Sequence, residues 1–187
     1  MYIANYYIQG EVTHEGLPQW LVETTGLNGS TPDAVEAVIW INSNGGDLMA
    51  ALESINLIAS SKIPVSTIIN GCAESAALYI AMAGHKRFIL EGSWGMAHHF
   101  STGAEGNYHE LMDSVKHNKL LHKVMEGLIK RFTKVPKEII DHDFLGRGTT
   151  WLTDEELVNY GVVDKILFPG PKLIDEVLNY GKTSKKK

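Results

Sequence analysis

The chain has 187 residues, 44% hydrophobic and 21% charged, with a formal net charge of −5; that length can bury one sizeable core, and the acidic balance gives no electrostatic basis for binding nucleic acid. A single cysteine, Cys72, rules out an internal disulfide and a cysteine-built zinc site, and fits a reducing, cytoplasmic setting. No basic-then-apolar leader opens the chain and no apolar run reaches the roughly 18 residues of a membrane span, so no membrane association is expected.

In chain order, a first strand is expected at residues 6–9. Residues 35–41 (VEAVIWI) are β-branched and apolar and end at the turn signal Asn42-Ser43-Asn44-Gly45-Gly46. Asp47 is placed to cap a following helix, in which Leu48, Leu52, Ile55 and Ile58 share one face. Pro64 precedes a second apolar strand at 65–69, which ends at Asn70-Gly71. A helix of small residues is expected from Ser75 to Ala83, then short strands at 87–90 and 94–98.

The longest helical pattern runs from Tyr108 to Phe132, with Leu111, Val115, Leu121, Met125 and Leu128 as its expected buried stripe. Thr153 and Glu156 have capping-box spacing, so a helix should begin at Asp154. Gly161 stops it, and a last strand is expected at 162–167. Residues from about 168 onward, ending in Lys185, Lys186 and Lys187, read as a peripheral tail. No linker or repeat divides the chain, so a single domain over residues 1–187 is expected. The alternation predicts an α/β fold with mostly parallel strands covered by helices.

Two strand ends carry the chemistry. Both finish in glycines and both lead straight into a helix, whose first N–H groups have no intrahelical acceptor. Side by side, two such ends form an oxyanion hole. Taken alone, Gly45-Gly46 is a turn and Ser75 is a helix N-cap. The order of glycine turn, serine at a strand-to-helix bend and His98 at a strand end points instead to nucleophilic catalysis.

Four segments resemble, in order and spacing, the proteolytic subunit of the Clp protease (the ClpP family). IWINSNGG (39–46) is similar to its YINSPGG. VSTIINGCAESAA (65–77) is similar to its VSTICMGQAASMGA. MAHH (96–99) is similar to MIHQ, and WLTDEELVNYGVVDKIL (151–167) to FLSAPEAVEYGLVDSIL. The likeness runs from about Ile8 to Leu167.

It implies a ClpP/crotonase-like α/β fold of repeated ββα units, with the long helix as a protruding handle. It implies a serine endopeptidase with Ser75 as nucleophile, His98 rather than His99 as general base, and the N–H groups of Gly46 and Ala76 as oxyanion hole. The implied substrates are peptides or unfolded proteins, hydrolysed inside a homo-oligomer of stacked seven-membered rings. No cofactor and no metal are implied.

Two departures stand out. The family's acid lies two residues before the FL of its last motif, where this chain has Thr149. For the third member, Asp143, Thr149 itself, Asp141 and none of these three are the alternatives, with Asp143 foremost. The family's chains also begin well before their first strand, with a segment that docks a ring-shaped AAA+ unfolding ATPase. Here the expected first strand starts near Met1, so that docking segment is expected to be absent or very short, and an ATPase partner is left open. A catalytically weak structural ring subunit and a phage prohead maturation protease are alternatives on the same fold. A crotonase-type acyl-coenzyme A enzyme is a more distant one. His109 and Glu110 begin like a zinc-protease helix, but Asp113 stands where its second histidine belongs.

Overall fold

The structure is a computed structural model that describes residues 2–182. The lysine tail, Lys185 to Lys187, lies outside the described residues. Five strands form a parallel sheet in the order β1-β2-β3-β4-β7: β1 (Tyr2–Val12), β2 (Ala34–Gly46), β3 (Val65–Glu74), β4 (Lys86–Leu90) and β7 (Lys165–Leu167). Two more strands, β5 (Trp94–His98) and β6 (Thr149–Thr153), pair antiparallel with each other. Strand β3 joins the two parts. Its residues Ser66 to Ile69 pair with β4, and Cys72 to Glu74 pair with β5.

The sheet is covered on both faces, as its near-continuous apolar strands require. One face buries Ile39, Ile41 and Ile69 against α1 (Leu17–Thr24), α2 (Leu48–Ala59) and α3 (Ala76–Met82). The other buries Val38, Ile68 and Phe88 against α7 (Leu173–Asn179). The stretch expected as a peripheral tail is therefore partly core: Leu173 and Val177 are buried, and Lys86 Nζ, 2.8 Å from Glu36 Oε2, also donates to the Val177 carbonyl. Helix α1 was not foreseen. Its tie to the sheet is Trp20 tilted against Tyr6, a long-range contact that local periodicity does not reveal.

Strand β2 runs past its expected end. The Asn42–Gly46 stretch reads as a turn, yet Glu11 and Val12 of β1 pair with Gly45 and Gly46 and keep it extended. A partner strand outweighs local turn preference here, and glycine allows it: φ is +94° at Gly45 and +148° at Gly46.

Helix α4 (Tyr108–Phe132) begins at a full capping box, with Asn107 and Glu110 each bonding the other's backbone. Its expected buried stripe is corrected. Met125 and Ile129 are buried, but Leu111 and Val115 are 40% and 44% exposed. A helix of 25 residues spans about 37 Å, and it packs on the core through Met125 and Ile129 in its second half, so its first half stands clear. Beyond it come a short helix α5 (Lys137–Ile139), a π-helical turn (Ile140–Phe144), and α6 (Asp154–Asn159) with its expected capping box at Thr153. The chain is a mixed α/β protein with a parallel sheet and one long helix standing out from it. No helix among the described residues is long and apolar enough to cross a membrane.

Candidate active site

Ser75 sits where β3 turns into α3, with φ +52° and ψ −122°. It is the one non-glycine residue with positive φ among those described, a conformation that costs on the order of 1–3 kcal/mol. Two things hold it there. Its N–H donates to the Met96 carbonyl of β5 at 2.8 Å, and every residue of the following α3 is buried. The bend lifts the side chain off the helix, so Ser75 makes no capping hydrogen bond. Ser75 thus holds the N-cap position of α3 without capping it through its side chain. Its Oγ lies 2.7 Å from Nε2 of His98, the last residue of β5. An imidazole with an unprotonated Nε2 at that distance can take the hydroxyl proton as the oxygen attacks.

Gly45 and Gly46 bring the end of β2 against this bend. A Cβ on Gly45 would stand 2.7 Å from the Glu74 carbonyl, 2.8 Å from Ser75 Cβ and 3.1 Å from Ala76 N. No side chain fits between them, which is how a backbone approaches a reacting centre closely. Gly46, Ser75, Ala76 and His98 line one cavity of about 350 Å³, together with Asp47, Leu48, Tyr79, Phe100 and Met125. The expected nucleophile, base and both expected oxyanion donors thus converge on one space. Burial pushes the Tyr79 phenol well above its usual range, so it stays neutral.

The two neighbouring histidines are cleanly separated. His99 turns to His122 of α4, with Nε2 3.0 Å from His122 Nδ1 and the rings stacked. The two residues are 23 apart in the chain, so no local spacing reveals the contact. Cys72, near Ser75 in sequence, is buried. Burial first and the Glu74 charge second push its thiol upward, which keeps it protonated and a poor nucleophile.

The acid position is the open part of the site. Antiparallel pairing sets Thr149 directly opposite His98. Asp143 lies in the π-helical turn, where Oδ1 is 2.6 Å from Nδ1 of its neighbour His142. Asp141 is paired with Lys137 at 2.8 Å. Both aspartates line a second cavity, about 900 Å³, that also reaches His98 and Thr149. The imidazole therefore stands between the two cavities. Among the described residues, its one side-chain hydrogen bond is to Ser75.

Leu48, Phe100, Met125 and the carboxylate of Asp47 were not foreseen at the site. Asp47 was legible only as a helix cap, which it also is: it accepts from Ala50 N–H at 2.9 Å.

The family sequence model for Clp protease matches residues 7–170. A curated relative, the ATP-dependent Clp protease proteolytic subunit of Deinococcus radiodurans, is 30% identical over 143 residues, covering 75% of this chain and 69% of the relative.

Proposed function

The chain belongs to the Clp protease family, and on that premise we propose that it is a serine endopeptidase with Ser75 as nucleophile and His98 as general base. The observation that carries the proposal is the 2.7 Å contact between Ser75 Oγ and His98 Nε2, made at a strained strand-to-helix bend. Attack by Ser75 on a peptide carbonyl forms the Oγ–C bond and passes the hydroxyl proton to His98. His98 then returns that proton to the leaving amine, and water hydrolyses the acyl-enzyme. Gly46 and Ala76 N–H groups are the proposed oxyanion donors. Asp143 is the first candidate for a charged third member, but its bond to His142 holds it back in this arrangement. Ser75 and His98 are therefore proposed to work as a pair.

A fluorophosphonate probe tests the nucleophile. The wild type should label and Ser75→Ala should not; label that survives Ser75→Ala would remove Ser75 from the role.

The proposed substrates are peptides or unfolded proteins that reach a chamber enclosed by copies of this chain, and the cytoplasm is the proposed setting. The support for assembly is α4, which leaves Tyr108, Leu111, Met112, Val115 and Leu120 exposed in the single chain. Apolar side chains gathered on one projecting helix gain most by burial against another copy. Light scattering should give a mass many times that of one 20.7 kDa chain. A monomer at micromolar concentration would overturn the chamber.

A further inference from the structure

The cavity that holds Ser75 has an uneven lining. Leu48, Phe100 and Met125 supply apolar walls, and Tyr79 stays neutral. Asp47 is its only carboxylate, and no lysine or arginine lines it. The Asp47 side chain is 50% exposed. Its Oδ1 caps α2 at Ala50 and lies 3.6 Å from His14 Nε2, while Oδ2 makes no hydrogen bond among the described residues. His14 in turn lies 3.1 Å from Glu53, so it is shared between two carboxylates and leaves Oδ2 open.

Apolar walls leading to one unpaired carboxylate oxygen suit a side chain with a long methylene stem and a cationic end. Resting on the serine-peptidase reading above, we infer that this cavity selects lysine or arginine beside the scissile bond, with Asp47 as the specificity determinant. The stem lies against Leu48, Phe100 and Met125, and the ammonium or guanidinium donates to Oδ2. A half-exposed pair of this kind discriminates by a few-fold, not by orders of magnitude.

The test compares three fluorogenic peptides that differ only at a residue flanking the cleaved bond: lysine, norleucine or glutamate. Norleucine keeps the stem and removes the charge. The expected kcat/KM order is lysine, norleucine, glutamate, with lysine ahead of norleucine by about three- to fivefold. In Asp47→Asn, whose amide oxygen still caps α2, the lysine-to-norleucine ratio should fall to about one. The same peptides, followed by fluorescence anisotropy on Ser75→Ala, read the cavity without any chemistry and should bind in the same order. Norleucine equal to lysine in both assays, or a lysine preference that survives Asp47→Asn, overturns the inference. Lysine-selective binding by Ser75→Ala, beside a wild type that neither cleaves nor labels, would overturn the peptidase reading and leave this one standing.

Discussion

Thr149→Asp is expected to raise peptide turnover by about 10²-fold, with a ceiling near 10⁴. The ceiling is the loss that serine proteases suffer when the buried aspartate behind the histidine becomes a neutral asparagine. Register puts residue 149 directly opposite His98. Side chains in that relation stand about 5 Å apart at Cβ. A carboxylate there accepts from His98 Nδ1–H, fixes the tautomer that leaves Nε2 free to take the Ser75 proton, and stabilises the imidazolium formed on transfer. Thr149 is exposed, so solvent screening keeps the gain below the ceiling. Steady-state rates on a fluorogenic peptide, beside Asp143→Asn, decide the matter. No gain from Thr149→Asp, together with a loss near 10⁴ from Asp143→Asn, would show that Asp143 leaves His142 and serves as the acid.

His98→Ala should lower turnover by only about 10²-fold in the parent chain. In a serine protease with all three members, losing the histidine costs roughly 2 × 10⁶, and losing the acid alone roughly 3 × 10⁴. Where no carboxylate bonds to the histidine, the quotient is what His98 still has to contribute. The same change made in Thr149→Asp should cost on the order of 10⁴ or more, because the three groups then act as a unit. This non-additivity is the signature to measure, by rates for the two single variants and the double variant. A His98→Ala chain as fast as the parent would remove His98 as the base.

The bond between His99 and His122 bears on how such variants are interpreted. It fastens the residue after His98 to α4, so the strand that carries the base is braced from outside the sheet. Changes in α4 are therefore not neutral controls for the site.

Much of this was legible along the chain. The resemblance of four ordered motifs placed Ser75, His98, Gly46 and Ala76 in one site, although locally Ser75 read as a cap and Gly45-Gly46 as a turn. Asp47 as a cap and the Thr153–Glu156 box were legible because cap chemistry is written in a few neighbouring residues. The sequence by itself determined an α/β alternation, a strand-to-helix serine and the absence of a carboxylate at residue 149.

Tertiary structure alone decided the rest. The β1 partner turned a glycine turn into the end of β2. Pairing between β5 and β6 brought Thr149 to His98. The length of α4 carried Leu111 and Val115 beyond the core they seemed to belong to. Folding of α2 against α3 turned the Asp47 cap into part of the wall beside Ser75. Each of these depends on residues far apart in the chain, and no local pattern records which distant partner a strand or helix will meet.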